Sequence, residues 1–100
     1  MLNITNNTEN EMMTVWLEGS LDTNTAPNFE DAMKDMPDGI TELIIDMEKL
    51  EYISSAGLRV LLTLYKQMTV KGDMKLVHVN DIVKEILNVT GFTNFLKLEE

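Results

Sequence analysis

The stretch Glu51-Tyr52-Ile53-Ser54-Ser55-Ala56-Gly57-Leu58-Arg59-Val60-Leu61-Leu62 sets paired hydroxyls and a glycine at the mouth of an amphipathic helix. Plotted at about 100° per residue, Leu58, Val60, Leu61, Leu62, Leu64, Tyr65 and Met68 fill more than half of the circumference, and Arg59, Thr63, Lys66 and Gln67 share the rest. An apolar arc that wide must touch more than one neighbour. The small side chains of Ser54, Ser55, Ala56 and Gly57 leave the first backbone N–H groups of the helix reachable, and a helix N-terminus favours negative charge. Lys71-Gly72 ends the helix, with a cation suited to its negative end and a glycine for a left-handed cap.

Working outward, Leu43-Ile44-Ile45 and Leu76-Val77-His78-Val79 are short apolar runs of the kind found in sheets covered by helices. Upstream, Leu2 and Ile4 predict a short strand, Asn6 to Glu11 a polar turn, and Met13, Val15 and Leu17 alternating with Thr14, Trp16 and Glu18 a second strand. Thr25 then caps a helix with Pro27 in its first turn and Ala26, Phe29, Ala32, Met33 and Met36 on its apolar stripe, and Pro37-Asp38-Gly39 stops it. A third helix, from about Asp81 to Thr90, buries Ile82, Val83, Ile86 and Leu87 and closes at Gly91. Phe95, Leu96 and Leu98 predict a last strand.

The order β-β-α-β-α-β-α-β predicts one α/β domain over residues 1–100, a mixed and largely parallel sheet with flanking helices. In such sheets the loops leaving the carboxyl ends of parallel strands share one edge, where ligands and partners bind. That edge would gather Asp22, a loop from Asp46 to Ser55, and Asn80-Asp81.

Composition narrows the function. The formal net charge of −9, from 17 acidic against 8 basic residues, argues against nucleic acid and anionic membrane surfaces and for a protein partner with a basic face, or else simply for solubility. With no cysteine there are no disulfides, thiolate metal sites or cysteine nucleophiles. The polar start from Met1 to Glu11 has no signal-peptide pattern, and no apolar run is long enough to span a bilayer, so the expectation is a cytoplasmic chain without membrane insertion. The glycosylation sequons at Asn3, Asn6 and Asn88 then carry no meaning.

For Ser54 and Ser55 the plainer reading is a helix N-cap, in which a hydroxyl oxygen accepts a backbone N–H. Gly57 adds to it, because glycine in a first turn is unfavourable by about 1 kcal/mol relative to alanine and needs a reason such as close approach by another backbone. A serine hydrolase is disfavoured: the G-x-S-x-G elbow is absent and His78, the one histidine, falls in an apolar strand pattern. Asp46, Glu48 and Glu51 read as a solvated acidic surface rather than a metal site. The eight methionines are core and gap fillers, with Met33 and Met36 available to an adaptable docking face. Neither catalytic residues nor a cofactor site is expected.

Ile53 to Leu62, together with Leu-Glu-Gly-Ser-Leu-Asp at Leu17 to Asp22 and Leu-Ile-Ile-Asp-Met at Leu43 to Met47, resembles the STAS domain of bacterial anti-sigma factor antagonists over nearly the whole chain. The usual motif of that family reads Asp-Ser-Ser/Thr-Gly-Leu, with the first hydroxyl residue after the Asp phosphorylated. Aligned on Gly57-Leu58, the acceptor is Ser55, with Ser54 as the alternative. Ser54 stands where the family usually has Asp, and Ala56 where it has a second Ser or Thr. The family also commonly carries a further helix after the last strand, whereas this sequence stops at Glu99-Glu100, which would leave part of one sheet face or helix layer less covered, or available to a partner.

The resemblance implies partner switching. The unphosphorylated protein would bind an anti-sigma factor that is also a serine kinase of the histidine-kinase-like ATPase type, free the sigma factor, and be released on phosphorylation of Ser55; a serine phosphatase would reset it. Partner contact would involve Asp22, Ser54, Ser55, Ala56, Gly57, Leu58 and Arg59, with Asp22 alternatively a turn residue and Arg59 an intrahelix charge. ATP and magnesium would belong to the kinase, and nothing demands more than a monomer. Rival readings are an accessory subunit of a transporter or other membrane assembly without a phospho-switch, and a switch whose output is not a sigma factor.

Overall fold

The computed structural model describes residues 1–99; Glu100, included in the expected domain span, lies outside the described residues. Five strands form one sheet in the sequential order β1-β2-β3-β4-β5. They are β1 (Leu2–Glu9), β2 (Met12–Leu21), β3 (Glu42–Ile53), β4 (Asp73–Val77) and β5 (Lys97–Glu99). The helices are α1 (Ala26–Met33), α2 (Ser55–Lys71) and α3 (Asp81–Val89), with a short 3-10 turn at Phe92–Asn94. β1 runs antiparallel to β2, and every other pairing is parallel. The expected class and element order are therefore observed.

Each parallel crossover steps one strand in the same direction, and right-handed crossovers then lay α1, α2 and α3 on one face. The burial pattern agrees. Met13, Val15 and Leu17 of β2 and Leu43, Ile45 and Met47 of β3 are buried with Phe29, Leu61, Met68, Val83 and Leu87 in a single core. The intervening Thr14, Trp16, Ile44 and Asp46 project to the opposite face and stay partly or wholly exposed. Helices thus cover one face of the sheet.

Several boundaries differ from the sequence expectation. The turn placed at Asn6 to Glu11 shrinks to Asn10-Glu11, because Asn6 to Glu9 pair with Val15 to Met12 as an edge strand whose outward side chains need no apolar partner. Asn10 supplies the positive φ (58°) of that tight hairpin. The loop from Asp46 to Ser55 is mostly strand: β3 continues to Ile53, held by β2 through two register irregularities. Helix α1 ends at Met33 instead of reaching Met36. Ile82 is not buried but 63% exposed in the first turn of α3. Tyr65, Phe92 and Phe95 cluster beside β5, with ring centroids 5.0 and 5.2 Å apart.

Two further expectations also fail. Gly72 closes α2 at φ 162°, extended rather than left-handed; glycine is required because an added Cβ would lie 1.9 Å from the Thr41 carbonyl oxygen. His78 is not inside β4, which ends at Val77. It sits exposed at φ 56°, where the chain turns from β4 toward α3.

Candidate functional site

The carboxyl ends of β2 and β3 meet at adjacent positions, Leu21 opposite Ile53, and the chain leaves each toward a helix. Ser54 follows with an extended backbone (φ −96°, ψ 175°), and its N–H donates to the Leu21 carbonyl at 2.8 Å. Its side-chain oxygen accepts the Gly57 N–H at 3.4 Å, so Ser54 is the N-cap of α2. Ser55 is the first helical residue and is exposed. No acidic side chain occupies the first turn, so the positive end of the α2 dipole meets solvent at Ser55.

What seats α2 so close is Gly57. A Cβ there would lie 2.6 Å from Cγ of Leu21 and 2.9 Å from Cγ1 of Ile53, so the close neighbours are core side chains and not the backbone that the sequence had suggested. Leu58 is likewise buried. These two residues position the helix, whereas Ser54 and Ala56 are half-buried and Ser55 and Arg59 face solvent. Arg59 is the one arginine of the chain and lies one helical turn beyond Ser55, at i+4.

Asp22 begins the loop after β2. Its carboxylate accepts the N–H groups of Asn24 (2.9 Å) and Thr25 (3.0 Å), and its own N–H donates to the Thr25 hydroxyl oxygen at 2.8 Å. The Thr25 N–H foremost, opposed by partial burial and helped by Asn24, holds the Asp22 carboxyl below its ordinary value. Thr25 occupies the N-cap position of α1 without capping it: its hydroxyl donates to the Ser20 carbonyl at 2.8 Å. That buried threonine braces the Asp22 loop, a role its sequence position did not disclose.

Asn80, the N-cap of α3, accepts the Val83 N–H at 2.9 Å and donates its side-chain amide to the Leu50 carbonyl of β3. This ties the third crossover to the strand that delivers Ser54. The edge foreseen from topology therefore gathers Asp22, Ser54, Ser55 and Asn80. Asp46 and Glu48 are not part of it, since they lie on β3 over the uncovered face. The sequence also overlooked Tyr52 (49% exposed), near the end of β3. Among the described residues no cluster of three or more His, Cys, Asp or Glu is arranged to hold a metal ion, and no helix is long and apolar enough to cross a membrane.

A mixed, mostly parallel sheet on one helical layer, with a capped Ser-Ser-Ala-Gly helix mouth beside an aspartate loop, defines a class that comparison with known proteins identifies. The STAS domain family model matches residues 3–100. The chain is 34% identical to the Bordetella bronchiseptica protein BtrV, assigned as an anti-sigma factor antagonist, over 81% of this chain and 72% of that protein. It is 25% identical to the anti-sigma-B factor antagonist of Staphylococcus aureus over 99% of this chain and 94% of that one. The fold matches the crystal structure of an anti-sigma factor antagonist from Mycobacterium paratuberculosis with a TM-score of 0.89 at 22% identity, covering 99% and 86% of the two chains. It also matches the phosphorylated form of the Bacillus cell fate determinant SpoIIAA with a TM-score of 0.72 at 16% identity, covering 98% and 90%. The chain belongs to the STAS domain family, among the anti-sigma factor antagonists.

Proposed function

We propose that this chain is a phosphorylation-controlled binding module, not an enzyme, that in its unphosphorylated state sequesters an anti-sigma factor with serine kinase activity and is released when Ser55 is phosphorylated. The observation that carries the reading is the division of labour between the two serines. The Ser54 oxygen is committed to the cap of α2, whereas Ser55 stands exposed at the first helical position, at the edge shared with Asp22. A kinase can reach the second hydroxyl without opening the first.

Phosphate on Ser55 adds about −1.5 to −2 charges at a helix N-terminus that favours them, with Arg59 one turn away, so the fold has no need to change. In a closed interface without a facing cation, that phosphate would be a desolvated, unpaired charge costing on the order of 3–5 kcal/mol, or roughly two to four orders of magnitude in affinity. The complex therefore breaks while the domain persists. Asp22, Ser54, Ser55, Ala56 and Arg59 supply the contact in this reading, with Gly57 and Leu58 seating the helix that presents them. Support comes from relatives named as antagonists of anti-sigma factors and from a protein of this fold solved in a phosphorylated form.

The test uses wild type, Ser54→Ala, Ser55→Ala and Ser55→Asp with a histidine-kinase-like ATPase partner and ATP. Intact-mass and fragment spectrometry locate phosphate in the first three proteins, and binding is measured for all four. Phosphate absent only from Ser55→Ala, tight binding by that variant and weak binding by Ser55→Asp are expected. Phosphate retained in Ser55→Ala would overturn the residue assignment. Undiminished binding by Ser55→Asp would favour a docking subunit without a switch.

A further inference from the structure

The uncovered sheet face carries a feature that the Ser55 edge does not use. Trp16, the single tryptophan of the chain, stands 41% exposed on β2, beside Thr5 of β1 and Asp46 of β3. It lines a groove of about 670 Å³ together with Thr5, Glu18, Asp46, Glu48 and Lys49. Three carboxylates thus oppose one ammonium around an exposed indole. Farther along the same face, Lys75 is already held by Glu42 and Glu99 at 3.3 Å each, so it does not offset the acidity near Trp16. Asp46 is fixed by accepting the Glu48 N–H at 3.0 Å and by its contact with Nδ1 of His78 at 2.9 Å. Among the described residues, Glu18 and Glu48 form no ion pair.

An aromatic ring rimmed by carboxylates on an open sheet face is complementary to a planar cation. We infer that this face docks an arginine-bearing segment of a protein partner, with a guanidinium stacked on Trp16 and its N–H groups shared by Glu18 and Glu48. Arginine fits better than lysine because its fork can engage a carboxylate while its plane lies on the indole. The surface lies on the sheet face opposite α2, so it and the Ser55 edge can be occupied independently.

A fluorescein-labelled hexapeptide alternating arginine with glycine serves as the probe, followed by anisotropy and by quenching of Trp16. Saturable binding is expected, lost when citrulline replaces arginine. It should weaken roughly five-fold in Trp16→Leu, the scale of one cation–π contact, and roughly ten-fold in Glu18→Gln/Glu48→Gln, the scale of two exposed ion pairs. Asp35→Asn/Asp38→Asn removes the same two charges from the exposed segment after α1 and should change affinity less than two-fold, as should Ser55→Asp. Equal weakening in the Asp35/Asp38 variant would reduce the effect to bulk charge and overturn the inference. Binding without Trp16 quenching would place it elsewhere, and an effect of Ser55→Asp would merge the two surfaces. A dimer dispersed by Trp16→Leu, with no peptide bound, would make the face a contact between copies of this chain and also overturn it.

Discussion

The N–H of Ser54 donates to the carbonyl of Leu21 at 2.8 Å, and that bond joins the end of β2 to the mouth of α2. Through it the Asp22 loop and the serine pair are held side by side. The same Leu21 packs against Gly57, so the residue that holds Ser54 from below also limits what can stand in the first turn of the helix.

Gly57→Ala should therefore destabilise the domain despite the better helix propensity of alanine. A Cβ 2.6 Å from Leu21 forces core side chains apart, and overpacking of this kind costs about 1–3 kcal/mol. A urea unfolding midpoint equal to or above that of wild type would contradict the tight seat.

The two serines should separate on stability as well as on phosphorylation. Ser54→Ala removes the α2 cap and should cost about 0.5–1 kcal/mol, the lower part of the usual range because the bond is long at 3.4 Å. Ser55→Ala, at an exposed first helical position, should stay within about 0.5 kcal/mol of wild type. Parallel denaturant titrations of the two variants decide the order.

Gly72→Ala should be more damaging than an ordinary helix-end substitution. The added methyl meets the Thr41 backbone, which cannot rotate away as a side chain can, where α2 hands the chain to β4. A loss of about 2 kcal/mol or more is expected. Thermal unfolding followed by circular dichroism provides the check, and an unchanged midpoint would show that the α2–β4 junction shifts freely.

Stability should depend on pH through two carboxylate contacts of opposite sign. The hydrogen bond to Asp46 first, then the Asp46 charge and that of Glu48, raise the His78 imidazole above its ordinary value. A raised folded value means that stabilisation is fully present below about pH 6.5 and fades as the pH climbs through the higher folded value. His78→Gln should flatten this part of the stability profile. Asp22 behaves in reverse: its folded value is lowered chiefly by the Thr25 N–H, so its contribution is present above about pH 4 and is lost as the pH falls through the lower folded value. Asp22→Asn retains an oxygen acceptor and should flatten the acid limb alone. Urea titrations at stepped pH check both.

Much of the fold was legible because it follows from local pattern. The alternation from Met13 to Glu18, the wide apolar arc from Leu58 to Met68, and the stops at Pro37-Asp38-Gly39 and Gly91 predict element order and class without reference to distant residues. The failures lie where a distant partner decides. β3 runs on through Asp46 to Ile53 because β2 lies beside it, although its own residues there are largely polar. His78 falls in an apolar strand pattern, but the chain turns out of β4 at that residue and delivers it to Asp46, 32 positions away.

The sequence by itself determined the α/β order, the helix mouth at Ser54 to Gly57 and the family to which that motif belongs, since these rest on periodicity, capping chemistry and residue identity over short spans. Only the tertiary structure decided which serine caps and which stands free, why positions 57 and 72 admit nothing larger than glycine, and that one sheet face stays open around Trp16. Those outcomes depend on how strands and helices far apart in the chain approach one another, and excluded volume between them is not written in any local pattern.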